Sequence, residues 1–136
     1  MSFPDFQAKV KLEATVSPSE DPKKVAGALG NILGLDPGDV SAGPHSAMLV
    51  TSEWKALVHI RDQLRDRRVR SAARRKMILN RSGDSTSLML NRQAAAAGVV
   101  ALCGSPEESP LGPVYLTLSS DRLDAAIDWL TPVEGG

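Results

Sequence analysis

The middle of the chain carries the run Arg61-Asp-Gln-Leu-Arg-Asp-Arg-Arg-Val-Arg-Ser-Ala-Ala-Arg-Arg-Lys-Met-Ile-Leu-Asn-Arg81. Nine of its residues are cationic, and eight of these are arginines. Only Asp62 and Asp66 oppose them. Because the run contains neither glycine nor proline, nothing in its composition interrupts a helix. This segment is therefore the starting point for predicting both the helices and the surface charge of the protein.

The apolar positions in and before this run predict two helices rather than one. A stripe from Leu57 to Leu64 recurs at helical spacing, but the same face continues into Arg68. A second stripe runs from Val69 to Met77 and is rotated from the first by about a third of a turn. We therefore predict a break or bend near residues 65–68. The outer face of the second helix is expected to carry Arg67, Arg70 and Arg74, with Arg75 and Arg81 near its edges.

Patterns elsewhere predict an α+β fold. Residues 7–16 alternate between apolar and polar side chains, which is typical of a strand with one buried face. Asp21 and Pro22 are suited to begin a helix, and Gly34 to end it. Strands separated by helices of uneven length indicate a mainly antiparallel sheet with helices packed on one face, in a single domain over residues 1–136. Further strands are predicted at 46–51, 86–91, 99–103 and 114–119. Further helices are predicted to begin at 53 and to span 93–97 and 121–130. Residues 35–45 are predicted to form a loop.

The net charge of the chain is zero, but the charges are segregated along it. Residues 1–60 sum to −2, from five cationic and seven anionic side chains. Residues 61–92 sum to +7, from ten and three, and residues 93–136 to −5, from one and six. Such segregation can face an anionic partner, or it can face the acidic parts of the same chain or of a second copy.

The arginines therefore admit two interpretations. In the first they bind RNA, since guanidinium groups form bidentate bonds with phosphate that lysine does not form. The residues concerned are Arg67, Arg70, Arg74, Arg75 and Arg81. In the second they pair with carboxylates on the last predicted helix, and the protein is a structural or interaction module. That helix places three carboxylates on one face: Asp121, Asp124 and Asp128.

Asn91 and Arg92 stand at the end of the strand predicted at 86–91. They are candidates for adding specificity to RNA contact, and equally for satisfying loop carbonyl groups. The chain has five aromatic residues, of which Tyr115 is the one candidate for an exposed ring on the sheet. Because sheets that bind single-stranded RNA stack bases on two or three rings, the sequence argues against a base-stacking surface on the sheet. Two basic helices at an angle would instead offer a curved surface suited to a duplex or a folded RNA.

No catalytic or metal-binding motif is recognisable. His45 and His59 have no further ligand at a suitable spacing, and the adjacent Glu107 and Glu108 diverge on an extended backbone. The glycine-rich nucleotide-binding sequences are absent. We therefore predict a non-enzymatic protein without cofactor, metal or small-molecule substrate.

The single cysteine, Cys103, is predicted to be a small core residue and favours a reducing, cytoplasmic setting. The first residues lack the basic and apolar regions of a signal peptide. The longest apolar run, residues 94–102, is about half the length of a membrane-spanning helix. No membrane association is predicted.

Five segments, taken in order, resemble one family. They are Ser-Pro-Ser-Glu-Asp-Pro at 17–22, Arg-Arg-Val-Arg-Ser-Ala-Ala-Arg-Arg at 67–75, Leu-Asn-Arg-Gln-Ala-Ala at 90–95, Glu-Glu-Ser-Pro-Leu-Gly-Pro at 107–113 and Ile-Asp-Trp-Leu-Thr-Pro at 127–132. Together they resemble uncharacterised protein family 0201, small archaeal proteins predicted to bind RNA, over nearly the whole chain.

The resemblance implies an α+β fold similar to that of the large-subunit ribosomal protein that binds 5S rRNA. It also implies a homodimer. Under the second interpretation, the protein is then a homodimeric structural or interaction module whose arginines pair with acidic helices. The family supplies no catalytic residues. Leu88 and Met89 stand where aromatic residues are common in the family, which argues further against base stacking.

Overall fold

The computed structural model describes residues 6–108 and 111–133, apart from the side chain of Arg67. Short 3-10 turns lie at Pro37–Asp39 and Pro106–Glu108. The strands and helices are β1 (Ala8–Thr15), α1 (Pro22–Leu33), β2 (Ser41–Ala42), β3 (Ser46–Thr51), α2 (Trp54–Gln63), α3 (Arg67–Leu79), β4 (Ser85–Leu90), α4 (Arg92–Ala96), β5 (Val114–Ser120) and α5 (Leu123–Leu130).

The five strands form one antiparallel sheet in the order β2-β3-β1-β5-β4. β1 lies at its centre because it pairs with both β3 and β5. Its alternation appears directly as burial, since Val10 and Leu12 are buried while Lys9 and Glu13 are exposed. The predicted α+β class with an antiparallel sheet is confirmed.

The core fills the space between one face of the sheet and the helices. Leu29 of α1, Ile60 of α2 and Met77 of α3 are almost completely buried, as are Leu116 of β5 and Ile127 of α5. Full burial of such a side chain contributes about 1.5–3 kcal/mol. The opposite face of the sheet is exposed or half-buried. No described helix is long and apolar enough to cross a membrane.

Both predicted ends of α1 are confirmed. Asp21 accepts a hydrogen bond from the Lys23 N–H at 3.0 Å, and Pro22 occupies the first helical position. Gly34 ends the helix with φ of 65°, in the left-handed region that favours glycine. A β-carbon at Gly34 would lie 2.7 Å from Nδ1 of His59 on α2, so glycine is also needed for the close approach of the two helices.

The predicted bend lies between α2 and α3, at residues 64–66. Leu64 is buried, so the first apolar stripe ends in the core just before the second begins. Asp66 then caps α3, because its Oδ1 accepts hydrogen bonds from the N–H groups of Arg68 at 2.9 Å and Val69 at 3.4 Å. The stripes alone did not indicate this cap.

The strand predicted at 99–103 is wrong. The segment meets the sheet through one isolated antiparallel bridge, between Leu90 and Leu102. Beside it the Cys103 N–H donates to the carbonyl oxygen of Met89 at 2.9 Å. Val100 and Cys103 of this segment are buried although the segment forms no ladder with β4, and Val99 is 53% exposed.

Three smaller differences concern element boundaries. β2 forms inside the predicted loop at 35–45, where two residues pair with β3. α2 begins at Trp54 after Glu53, without a side-chain cap. α5 begins at Leu123 rather than at 121, although the hydroxyl of Ser120 still accepts from the Arg122 N–H at 3.1 Å.

Candidate nucleic-acid interface

One side of α3 rests on the core of the protein. Ala73 and Met77 are buried, and the hydroxyl of Thr86 on β4 donates a hydrogen bond to the Met77 carbonyl oxygen. At about 100° per residue, the side opposite Ala73 carries Arg68 and Arg75. The buried stripe thus fixes which arginines face solvent.

The arginines on the flank toward α5 are engaged within the chain. Arg74 Nη2 lies 2.7 Å from Asp128 Oδ1, and Arg74 Nη1 donates to the carbonyl oxygen of Thr131 at 3.0 Å. Arg81 Nη1 pairs with Asp124 Oδ1. The prediction that Arg74 lies on the outer face is wrong, because α5 docks beside it and leaves its side chain 25% exposed.

Arg70 is half-buried on the same flank. With Arg74 and Arg75 it lines a groove of about 380 Å³ between α3 and the segment Thr131, Pro132 and Val133. An adjoining groove of about 240 Å³ shares Arg70 and Pro132 and is also lined by Arg61 and Arg65. The side chain of Arg67 lies outside the described part of the chain.

Among the α3 side chains that the structure describes, three cations are exposed: Arg68, Arg75 and Lys76. Within residues 6–108 and 111–133, no carboxylate forms an ion pair with any of them. Arg68 and Arg75 are two helical turns apart, about 10 Å along the axis. We call these three residues the α3 basic face.

Two cations near the bend have local partners. The Arg61 guanidinium carbon lies 4.9 Å from the ring centroid of Trp129, a cation–π contact. Trp129 in turn meets Phe6 and Trp54 edge to face, at centroid distances of 6.4 and 5.8 Å. Arg65 lies 3.3 Å from Asp62. Arg61 therefore helps to hold α5 against α2.

Arg92 is buried, with 4% of its surface exposed. Its Nη1 lies 2.8 Å from both carboxylate oxygens of Glu20 and donates to the Thr15 carbonyl oxygen at 2.7 Å. Its Nε donates to the carbonyl oxygen of Gly112 at 3.0 Å. These bonds join the end of β1, the loop before α1 and the loop before β5.

Glu20 is the acidic half of this cluster. Burial by itself would raise its pKa, but hydrogen bonds from the Ser17 N–H and from Arg92 outweigh burial and lower the pKa below its ordinary value. Glu20 is therefore held as a carboxylate opposite the Arg92 guanidinium.

The predicted RNA contacts of Arg92 and Asn91 are corrected. Arg92 directs its donors into the fold, and the Asn91 side chain accepts from the Ala94 N–H at 2.9 Å to cap α4. The structural interpretation, in which they satisfy loop carbonyl groups, fits Arg92, whereas Asn91 has a structural role of a different kind as the cap of α4. Neither belongs to the candidate interface.

The five segments that carry the family resemblance meet at two of these contacts. Residues 17–22, 90–95 and 107–113 supply Glu20, Arg92 and Gly112 of the buried cluster. Residues 67–75 and 127–132 supply Arg74, Asp128 and Thr131 of the α3–α5 contact. The acidic face predicted for the last helix was the sequence signal for Asp128, whereas only the joint presence of these segments in the motif set links Arg92 to Glu20.

A further concave surface lies away from α3. It measures about 710 Å³ and is lined by Lys9, Trp54, Asp84 and Asp121 among others. Its titratable groups are of both signs, so it does not extend the basic surface. Cys103 is buried, and burial, with the nearby charge of Glu108, raises the pKa of its thiol.

No protein-family model matches the chain. A UPF0201 protein of Sulfurisphaera tokodaii is 35% identical over 126 residues, which cover 91% of this chain and 87% of the relative. A UPF0201 protein of Metallosphaera sedula is 32% identical over 125 residues with the same coverage. The crystal structure of a UPF0201 protein from Methanococcus jannaschii matches this chain with a TM-score of 0.74 and 22% sequence identity. The match covers 94% of this chain and 96% of that chain, and it shows that the two share a fold.

Proposed function

The chain belongs to the UPF0201 family of archaeal proteins, and we propose that it is a non-enzymatic, cytoplasmic RNA-binding protein whose contact surface is the α3 basic face. The observation that carries the proposal is the exposure of three cations on α3: Arg68 and Arg75 on the side opposite the buried Ala73, and Lys76 on the flank away from α5. The non-enzymatic part rests on the sequence, which has no catalytic constellation.

The proposed ligand feature is the phosphate backbone of a duplex or folded RNA. α3 carries no aromatic residue on which a base could stack. Its outer side offers guanidinium and ammonium groups, which suit phosphate oxygens. Proteins recognise double-stranded RNA mainly by backbone shape and phosphate contacts.

The grooves beside the α3 basic face support this surface. Arg75 lines the groove that it shares with Arg70 and Arg74. Arg75 therefore contributes to a concave surface as well as to the exposed side of α3. Arg74 is already paired with Asp128 there, so the proposed phosphate contact in this groove is that of Arg75 alone.

The test compares two triple variants that each remove three exposed cations. One is Arg68→Ala/Arg75→Ala/Lys76→Ala. The control, Lys23→Ala/Lys24→Ala/Lys55→Ala, removes equal charge from α1 and α2. Affinity for structured RNA is measured by fluorescence anisotropy at several salt concentrations.

We expect the α3 variant to bind more weakly and to lower the slope of log affinity against log salt by about two to three, since each lost phosphate contact removes roughly one. The control should retain the wild-type slope. The proposal fails if the folded α3 variant matches wild type in affinity and slope, or if wild type shows no salt-dependent RNA binding.

A second candidate is a homodimeric structural or interaction module. The observation that favours it is the pairing of Arg74 with Asp128 and of Arg81 with Asp124, which uses two of the five arginines assigned to RNA. These pairs form inside one chain, so they stabilise the subunit itself. A wild-type protein that is dimeric by sedimentation equilibrium and does not bind RNA would establish this candidate in place of the first.

A further inference from the structure

The C-terminal end of α3 exposes two adjacent large apolar side chains. Ile78 is 51% exposed, and Leu79 is 77% exposed, the highest value among the large apolar side chains that the structure describes. Neither residue belongs to the buried core. These two residues, which we call the α3 apolar tip, therefore present apolar surface to solvent that the core of the protein does not use.

The α3 apolar tip lies on the same side of the helix as Arg75. At about 100° per residue, Ile78 and Leu79 lie about 60° and 40° to either side of the line that runs through Arg75 along the helix. They are about 4.5 and 6 Å further along the axis, whereas Arg68 lies about 10 Å in the other direction. The exposed side of α3 is therefore cationic first and becomes apolar at its C-terminal end.

Hydrogen bonds on both sides of the α3 apolar tip hold it in place. The hydroxyl of Thr86 donates to the Met77 carbonyl oxygen. The Asn80 N–H donates to the Lys76 carbonyl oxygen at 2.9 Å, and Asn80 Nδ2 donates to the carbonyl oxygen of Ser87 at 3.0 Å. The last turn of α3 is thus joined to β4. A partner that contacts the tip does not have to order it first, which favours binding.

We propose that the α3 apolar tip contacts an unpaired base of the RNA, so that the protein selects a duplex interrupted by a bulge or closed by a loop. The inference rests on the proposed RNA-binding function and specifies which RNA is bound. Arg75 binds a phosphate of the adjoining duplex. One helical turn away, Ile78 and Leu79 pack against the face of a base that has left the stack.

The chemistry of the two groups argues for an unpaired base. A continuous RNA duplex keeps its bases stacked and presents 2′-hydroxyl groups and base edges in its accessible groove. Aliphatic side chains would remove water from these polar groups without replacing its hydrogen bonds. Bulges and loops expose the faces of their bases, and proteins that open a base stack contact it with apolar side chains such as leucine and isoleucine.

The charge beside the tip favours RNA over a protein as its occupant. Arg75 and Lys76 are exposed and precede the tip by about one helical turn. A nucleotide supplies an anionic phosphate and an apolar base face within one unit, and so matches a cation followed by an aliphatic pair. α3 has no aromatic residue, so the contact with the base is aliphatic packing rather than ring stacking.

The test replaces both residues of the tip with glutamine, which is polar, uncharged and compatible with a helix. Ile78→Gln/Leu79→Gln is compared with wild type and with Met48→Gln/Val50→Gln, a control that removes two exposed apolar side chains from β3. Each protein is titrated with a fully paired RNA duplex and with the same duplex carrying a central bulge. Anisotropy gives the affinities, and 2-aminopurine in the bulge reports contact with the unpaired base by its fluorescence.

Wild type and the control should bind the bulged RNA about tenfold more tightly than the paired RNA, as expected for burying part of two aliphatic side chains. The tip variant should bind both RNAs within about twofold of each other and lose the 2-aminopurine response. It should keep the wild-type salt slope, because it loses no charge.

The outcomes separate this inference from the proposed function. Wild type that binds both RNAs equally and with salt-dependent affinity would overturn the inference and leave the proposed function in place, whereas wild type that binds neither RNA would overturn both. A folded tip variant that still prefers the bulge would overturn the inference alone. If sedimentation velocity shows that this variant also has an altered oligomeric state, the tip is assigned to contact between copies instead.

Discussion

Arg92 and Arg75 show how far the environment decides what one residue type does. Arg92 is buried among carbonyl oxygens and the carboxylate of Glu20. Arg75 is exposed on α3. The first joins three segments of the fold, whereas the second is available to a partner. Their sequence contexts do not separate these roles, because both follow a polar residue in a segment that favours helix.

Replacing Arg92 with methionine should destabilise the protein by about 3 kcal/mol, since it leaves the Glu20 carboxylate and two carbonyl oxygens without their donor. Urea denaturation at neutral pH measures the change. Arg68→Met is the matched control and should change the free energy of unfolding by no more than about 0.5 kcal/mol. Equal effects of the two substitutions would show that the buried cluster contributes little.

The same cluster predicts a pH dependence of stability. The pKa of Glu20 is lower in the folded than in the unfolded state, so the unfolded state binds its proton first as pH falls. The contribution of Glu20 is therefore complete above its unfolded pKa, about 4.3, and is lost as pH falls through the lower folded pKa.

Glu20→Gln should thus be less stable than wild type at neutral pH, and the difference between their free energies of unfolding should narrow as pH falls below about 4.3. Urea denaturation of both proteins across pH 3 to 7 measures this. A difference that stays constant or widens toward acid pH would contradict the assignment of the lowered pKa to Glu20.

Among the elements, α3 shows which features depend on tertiary contacts. Its apolar stripe sets the side that meets the core, but the docking of α5 decides which of its flanks is covered. Arg74 lies on the covered flank and bonds to Asp128 and Thr131. Its neighbour Arg75 lies on the uncovered side. Arg74 therefore holds α5 in place, whereas Arg75 faces solvent.

Arg74→Ala should lower the free energy of unfolding by about 1–2 kcal/mol, because a partly buried charge-assisted hydrogen bond and a bond to a helix-terminal carbonyl are lost. Arg75→Ala should change it by no more than about 0.5 kcal/mol. Thermal and urea denaturation of the two variants, one position apart, provide the comparison. A larger loss for Arg75→Ala than for Arg74→Ala would mean that α3 turns the opposite flank toward α5.

Local sequence patterns predicted most of the helices and strands. They failed where contacts between residues far apart in sequence determine the structure. The alternation at 7–16, the glycine at 34 and the shift of stripes near 65–68 each have a local physical cause, and each prediction is confirmed. The segment at 99–103 has strand-like composition, but it meets β4 through one bridge. Arg74 and Thr131 are 57 positions apart, and Arg92 and Glu20 are 72 apart. Local patterns contain no signal for such pairs, so the candidate site was predicted only in part.

Across the whole molecule, some cations of the basic middle segment form ion pairs with carboxylates of the acidic last third, and others remain exposed at the surface. The basic middle and the acidic last third meet where α3 packs beside α5. The α3 basic face remains exposed on the other side of that helix. The face of the sheet turned away from the helices is separate from it, and Lys11 pairs there with Glu13. RNA is the partner that we propose for the α3 basic face.

The most direct test is the affinity for a structured RNA of wild type, Arg75→Ala and Arg74→Ala, measured side by side by fluorescence anisotropy at low salt and at increasing salt. We predict that Arg75→Ala weakens binding and lowers the salt slope by about one, as expected for one lost phosphate contact. Folded Arg74→Ala should bind as wild type does. Binding that is weakened by Arg74→Ala but not by Arg75→Ala, or identical binding by all three proteins, would contradict the division of the arginines into structural and RNA-contacting sets.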